Sequence, residues 1–275
     1  MSLLIVGAGG MLGRAFCQQL TEAGRSHVAT TRATYDLRDP DAPIPDDTSG
    51  VLNCAAYTNV DGAQTDEATA TEVNGHAVAR LVERCDARGI PLVHYSTDYV
   101  FDGRADAPYT IDHPTSPVNA YGRSKLVGEE AVRASSGPHL LLRTSWVYAP
   151  WGTNFVRTMA RLTKDKDTLS VVDDQRGRPT SAPHLARSTL GLLDAGATGT
   201  FHVTDGGECT WFELASFVGS RVDPSCKIAP CTSEAFPRLA PRPAYSVLDV
   251  SQTEAVVGAL TLWKDAVRAT LDQMG

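Results

Sequence analysis

Apolar and polar positions follow two rhythms along the first half of the chain. Leu3-Leu4-Ile5-Val6 is a short apolar run that ends in glycines, the pattern of a buried parallel strand. From Met11 to about Ala23 the spacing turns helical, with Leu12, Ala15, Phe16 and Leu20 on one face. Residues 27–31 predict a second strand, and residues 51–56 a third that closes in small side chains. A helix is expected over about 66–88, with Val73, Ala77, Leu81 and Val82 as its apolar stripe. A fourth strand over 91–96, a helix starting near Asn119 and a fifth strand over 139–144 complete the series. Strands alternating with helices of this length predict βαβ units, hence an α/β fold with a doubly wound parallel sheet.

Past Val147 the segments shorten and prolines multiply, at 179, 183, 224, 230, 237, 241 and 243. Strand-like runs recur at 169–172 and 200–203 and can return to the sheet. Helices are expected at 154–162, 183–194, 211–218 and 263–274. This half reads as a smaller lobe, discontinuous in sequence, carried on the sheet domain.

Composition narrows the function classes. The chain has 275 residues, 42% of them hydrophobic, and a net charge of −7. An acidic chain offers no electrostatic case for nucleic acid. No apolar run approaches the ~20 residues of a membrane helix, so no membrane partner is expected. The N-terminus runs straight into a strand pattern, with no basic region and no cleavage site. The six cysteines form no C-x-x-C pair, and the seven histidines show no ligand spacing. Reduced thiols in a cytoplasmic protein with no metal site are expected.

Gly7-Ala8-Gly9-Gly10-Met11-Leu12-Gly13 follows the first strand and opens the first helix. Gly7, Gly10 and Gly13 suit a tight turn, close approach of backbone to a pyrophosphate, and close helix packing. The helix start then offers N–H groups and a positive dipole end to phosphates. Strand, turn and helix in this order predict a Rossmann-type nucleotide site. The dinucleotide-binding domain is accordingly placed over 1–147, completed by elements within 169–203, with a mostly substrate-binding lobe over 148–275. At the end of the second strand an acid would take a ribose hydroxyl, whereas an arginine tolerates a 2′-phosphate. Thr30-Thr31-Arg32 carries no acid, which points to NADPH, with NADH as the weaker alternative.

Tyr121 and Lys125 stand four residues apart, on one face of a helix. An ammonium beside a phenol favours the phenolate, so Lys125 is expected to lower the tyrosine pKa. Such a phenol can pass a proton to a sugar or alcohol oxygen. Ser96 and Thr97 close the fourth strand, where hydroxyls face the ligand crevice of an open α/β sheet.

Thr97, Tyr121 and Lys125 match the hydroxyl, tyrosine and lysine of the extended short-chain dehydrogenase/reductases. The segment 96–103, Pro108-Tyr109, and the run from Pro117 through Tyr121-Gly122 to Gly128-Glu129 narrow the match. So do Asn53-Cys54-Ala55-Ala56-Tyr57-Thr58-x-Val60-Asp61, Asn74, Arg143-Thr144-Ser145-Trp146, Asn154-Phe155, 173–180, Arg242-Pro243 and Ser246-x-Leu248-Asp249. Together they closely resemble the dTDP-4-dehydrorhamnose reductase family over nearly the whole chain. The resemblance implies that Thr97 hydrogen-bonds a sugar ketone, that Tyr121 protonates the developing alkoxide, and that Lys125 holds the nicotinamide ribose. It places Met11 and Leu12 with the glycines at the cofactor, Asp36 and Leu37 near the adenine, and Ala55, Ala56 and Tyr57 along the cofactor groove. Asn74 would join a water relay. Thr58, Val60, Asp98, Tyr99 and Trp146 would wall the substrate, a dTDP-linked 4-keto sugar.

Two further expectations follow. Many bacterial members place a glutamate two residues after the third glycine, where it helps bind a Mg²⁺ between subunits. This chain has Ala15 there, so no Mg²⁺-bridged dimer is expected, while the oligomeric state stays open. Related 4,6-dehydratases usually show Thr-Asp-Glu, against Thr97-Asp98-Tyr99 here, and Tyr99 cannot replace a carboxylate. A nucleotide-sugar epimerase and an NADP-binding regulatory subunit like that of methionine adenosyltransferase remain the alternatives to a reductase.

Overall fold

A computed structural model of the chain describes residues 2–274. Strand β1 (Ser2–Val6) leads through the glycine turn into helix α1 (Met11–Glu22) and back to β2 (His27–Thr30). Strands β3 (Thr48–Asn53), β4 (Leu92–Thr97) and β5 (His139–Thr144) follow, and Gly199–His202 adds a sixth. All pair in parallel, in the spatial order Gly199–His202, β5, β4, β3, β1, β2. The doubly wound α/β expectation holds. The chain reverses its direction of winding between β1 and β3, so the ligand crevice opens at their carboxyl ends.

The sheet is dry on both faces, which is why its central strands read as unbroken apolar runs. Ile5, Leu52, Val93, Leu140 and Leu142 pack under α1 and the helix Ala182–Asp194, together with Phe16 and Leu185. Leu4, Val51, Leu92 and Leu141 pack on the opposite face with Val78, Leu81 and Val82. A separate core lies between the helices Phe155–Asp165, Trp211–Val222 and Trp263–Asp272, around Val156, Leu214, Val218 and Val267. No helix among the described residues is long and apolar enough to cross a membrane.

Three elements differ from the pattern-based expectation. The helix expected over 66–88 is broken: Glu67–Thr71 and Ala77–Arg88 are α-helical, and Glu72–His76 between them is a π turn. Asn74 lies within this turn, with its side chain held by partners outside the helix. The strand expected at 169–172 does not join the main sheet. Thr168–Val172 pairs in parallel with Lys227–Cys231 in a two-stranded ribbon. Most of its residues remain partly or wholly exposed, so it lacks the two apolar faces a central strand needs. The third strand ends at Asn53, and residues 54–59 leave the sheet as loop.

Candidate active site

The glycine turn is built for close approach. Gly7 has a φ of +83°, and a Cβ there would lie 2.8 Å from the Ala55 backbone nitrogen. A Cβ on Gly13 would collide with the Gly7 carbonyl, so α1 can start tight against the turn only with glycine at that position. A cavity of about 370 Å³ opens beside this turn. Gly7, Gly10, Arg32, Asp36, Leu37, Ala55, Ala56 and Tyr57 line it. Tyr35 and Arg38, which no local motif marks, line it too, as do Thr31 and Val73. Met11 and Leu12 lie in the first turn of α1. The Met11 carbonyl accepts the Trp151 indole N–H at 3.1 Å. Ala15 is buried in the core beneath α1, at 1% exposure. Among the described residues no group of three or more His, Cys, Asp or Glu could hold a metal ion.

At the rim, Arg38 forks onto Asp36, with Nη2 to Oδ2 at 2.6 Å and Nε to Oδ1 at 3.0 Å. This hydrogen bonding holds the Asp36 carboxyl well below the usual carboxylate range. Arg32 stands 3.7 Å from the same carboxylate and is otherwise in solvent. Two arginines and one acid therefore share the edge of the cavity, where the sequence reading saw one arginine.

Asn74 fixes the loop that lines the groove. Its Oδ1 accepts the Tyr57 N–H at 2.8 Å, and its Nδ2 donates to the Tyr57 carbonyl and to Ser124 Oγ, each at 3.0 Å. Both side-chain donors are thereby engaged, so the side chain clasps backbone rather than reaching toward solvent. One step earlier, Asn53 Oδ1 accepts the Ala55 N–H at 3.2 Å while its Nδ2 donates to His94 Nδ1 at 3.1 Å. That bond leaves the His94 proton on Nε2. Burial first, and then the charge of Lys125, holds this imidazole neutral.

The Tyr121/Lys125 helix, Ala120–Arg133, starts at Asn119, whose Oδ1 accepts the Gly122 N–H at 2.8 Å. Gly122 is pressed onto the Tyr99 carbonyl, leaving no room for a Cβ. Thr97, Asp98, Tyr99 and Tyr121 converge there. The Thr97 hydroxyl donates to Asp98 Oδ1 at 2.9 Å and accepts the Tyr99 N–H at 3.1 Å. The Tyr99 ring stands edge-on to Tyr121, with centroids 6.1 Å apart. Burial pushes the Tyr121 phenol above its ordinary value; Asp98 adds to the rise, and a polar contact with Thr97 opposes it. This rise runs contrary to the expectation that Lys125 lowers the phenol. Lys125 is itself buried, and burial lowers its ammonium to about 8, against the opposing charge of Glu129. Burial also raises the Asp98 carboxyl to about 7, against a polar contact with Ser246 and the hydrogen bond from Thr97.

Trp146 adopts φ +48°, a left-handed conformation rare for a bulky residue, and such strain concentrates at functional positions. Its ring stacks on Trp211 at 3.6 Å between centroids, and a Cβ on Gly177 would lie 2.8 Å from it. Thr58 is exposed, and Val60 opens the short helix Val60–Thr65. In that helix Asp61 Oδ1 receives Arg242 Nη2 at 3.1 Å. Trp211, Arg242 and Ser246 reach the site from distant segments, and only the recurrence of Arg242 and Ser246 in the resemblance pointed to the last of these; Asn119 stands two positions before Tyr121.

Comparison with known proteins identifies the family. The family model described as the RmlD substrate binding domain matches residues 1–275. A probable dTDP-4,6-dihydroxy-2-methyloxan-3-one 4-ketoreductase of Streptomyces antibioticus is 41% identical, covering 98% of this chain and 94% of that protein. The crystal structure of a dTDP-4-dehydrorhamnose reductase from Clostridium acetobutylicum superposes with a TM-score of 0.95 at 37% identity, covering 99% of each chain. The Bacillus anthracis dTDP-4-dehydrorhamnose reductase in complex with NADP gives 0.91 at 30% identity, covering 99% of this chain and 100% of that one. With a glycine cradle, a buried Tyr/Lys helix and full-length similarity of this order, the chain belongs to the dTDP-4-dehydrorhamnose reductase family.

Proposed function

We propose that this chain is an NADPH-dependent reductase of a 4-keto-6-deoxy sugar carried on dTDP. The observation that carries the reading is the meeting of Thr97, at the end of β4, with Tyr121, on a helix that also buries Lys125. NADPH supplies the hydride for the sugar C4. Residues 1–147, together with the helix Ala182–Asp194 and the strand Gly199–His202, form the dinucleotide-binding part; most of 148–275 receives the sugar nucleotide. The relatives named above, and the NADP in one of them, support the substrate class and the cofactor. Six cysteines without disulfides fit a cytoplasmic enzyme.

The residues divide the work as follows. The glycine turn and α1 receive the pyrophosphate. Lys125 holds the nicotinamide ribose. With a sugar bound, Thr97 turns its hydroxyl from Asp98 to the ketone oxygen and polarises it. Tyr121 gives its proton to the alkoxide as negative charge grows there. A phenol raised by burial is fully protonated at neutral pH, the form an acid needs. Trp146, set rigidly by Trp211, offers a flat wall to the sugar; Asp98, Tyr99, Thr58 and Val60 complete the pocket.

The test is incubation with dTDP-4-keto-6-deoxy sugars and NADPH, followed at the NADPH absorbance and by NMR of the product at C4. Turnover should fall ~10²–10⁴-fold in Tyr121→Phe while NADP⁺ binding survives. No reduction of any such sugar, or near wild-type turnover in that variant, would refute the reading.

A further inference from the structure

Residues 236–243 form a proline-rich strap between the helix Val60–Thr65 and the start of the Tyr121 helix. Its first part is open, with Phe236 50% and Leu239 61% exposed, whereas Ala240 is fully buried. Two side chains pin it. Asp61 Oδ1 accepts the Ala240 N–H and the Arg242 guanidinium, each at 3.1 Å, and Arg238 lies 3.7 Å from its other oxygen. Asn119 Nδ2 donates to the Pro241 carbonyl at 2.9 Å. The other half of that same amide caps the Tyr121 helix through Gly122.

We propose that Asn119 is a positioning residue whose single amide ties the strap to the first turn of the helix bearing Tyr121, so that strap closure and the placement of the phenol are coupled. Asn119 is fully buried, so water does not compete for either bond. The contact surface is continuous: Gly122 abuts the Tyr99 carbonyl, the Tyr99 ring meets Tyr121, and Arg242 of the strap acts electrostatically on the Tyr99 hydroxyl. Displacing the strap therefore pulls on the cap, and displacing the cap moves Tyr121. The residue type is diagnostic. Serine or aspartate would cap the helix equally well, but only the amide carries its acceptor and its donor on two separate atoms that reach Gly122 and Pro241 together. Closure over a sugar nucleotide rests on the functional reading above; the tie between strap and helix does not.

Asn119→Asp and Asn119→Ser separate the two bonds: the carboxylate keeps an acceptor for Gly122 and has no donor, and the serine hydroxyl, a single atom on a shorter side chain, cannot cap Gly122 and reach Pro241 together. The strap carries its own reporter, because trypsin can cut the exposed Arg238–Leu239 bond but resists Arg242–Pro243. In both variants cleavage after Arg238 should rise ~3–10-fold, the scale of one lost hydrogen bond. For a dTDP-4-keto sugar, KM should rise by a similar factor and kcat should fall. NADP⁺ affinity should stay close to wild type in both variants, because the cap survives; Tm should hold in Asn119→Ser and fall in Asn119→Asp, which buries a carboxylate against the Pro241 carbonyl. Unchanged cleavage and an unchanged KM in both variants would overturn the coupling. A wild-type enzyme inert toward every keto sugar would overturn the functional reading instead, and the cleavage rates would still decide the tie.

Discussion

Arg143 is wholly buried and forks onto Glu129, with Nε to Oε1 at 2.9 Å and Nη2 to Oε2 at 2.8 Å. Its remaining nitrogen donates to the Ile111 carbonyl at 2.9 Å and meets His202 Nε2 at 3.3 Å. The pair joins the Tyr121/Lys125 helix to β5 and to the strand beyond it. Arg143→Met would leave Glu129 with only the half-exposed Arg133, at 3.2 Å. Breaking a buried pair costs ~3–5 kcal/mol, and a fall in Tm on the order of 10 °C is expected. Replacing both partners with apolar residues should restore much of the loss. Denaturant melts of the single and double variants check this; a single variant as stable as wild type would show that the pair is idle.

Lys125 is a buried cation whose ammonium is lowered to about 8 by burial. The unfolded chain holds that proton up to ~10.4, so the folded state is penalised at any pH below about 8. The penalty shrinks as pH rises between those values and is gone above the higher one. Lys125→Met should therefore raise stability at pH 7 by up to a few kcal/mol, and the gain should fade toward pH ~10.5. The same variant should lose turnover and bind NADP⁺ more weakly. Urea titrations at pH 7 and pH 10 give the comparison; a variant less stable than wild type at pH 7 would contradict it.

The sequence exposed what is locally determined. The strand His139–Thr144 and the glycine turn are readable because both sheet faces and the close approach of Gly7 to Ala55 impose their residue types directly. The start of the helix at Asn119 was readable for the same reason, since a cap acts within three residues. The π turn was not: its Asn74 is held by Tyr57, 17 positions away, and Ser124, 50 positions away. The partner of Thr168–Val172 was hidden similarly: its pattern marks a strand but cannot say that Lys227–Cys231 lies beside it. Around the site, Thr97, Tyr121 and Lys125 stood out by type and spacing. Arg38, Trp211 and Arg242 did not, because what gives them weight is a contact with Asp36, Trp146 or Asp61, and no local pattern announces such a contact.

The Asp98 carboxyl is pushed up to about 7 because burial outweighs a polar contact with Ser246 and the hydrogen bond from Thr97. Its folded value is raised above the ~3.9 of an unfolded aspartate. Below the unfolded value both states are protonated and nothing is lost. As pH climbs from there to about 7 the unfolded chain ionises first, so stability declines and then levels off. Asp98→Asn removes this decline. It should match wild type near pH 4 and exceed it at pH 7–8, by a few kcal/mol at most. In activity, the wild-type rate should show a group titrating near neutrality that the variant lacks. Parallel stability curves for the two proteins from pH 4 to 8 would show that Asp98 ionises normally.

Arg32 and Arg38 should make unequal contributions to the choice of cofactor. Arg32 is free to turn toward a 2′-phosphate, since its side chain is 77% exposed and only 3.7 Å contact with Asp36 restrains it. A charge-assisted contact of this kind is worth ~1.5–3 kcal/mol when well formed. Arg32→Ala should therefore weaken NADP⁺ roughly 10-fold or more and leave NAD⁺ nearly unchanged. Arg38 acts one step back, by neutralising Asp36. Arg38→Ala leaves a bare carboxylate at the cavity edge, which repels a phosphate but can accept a hydrogen bond from a ribose hydroxyl. That variant should lose NADP⁺ affinity while holding or gaining affinity for NAD⁺. Adding Asp36→Asn to Arg38→Ala should recover part of the NADP⁺ binding. Calorimetric titration of both nucleotides against the three variants measures each step, and equal losses for NAD⁺ and NADP⁺ in Arg32→Ala would remove the arginine from any role in selectivity.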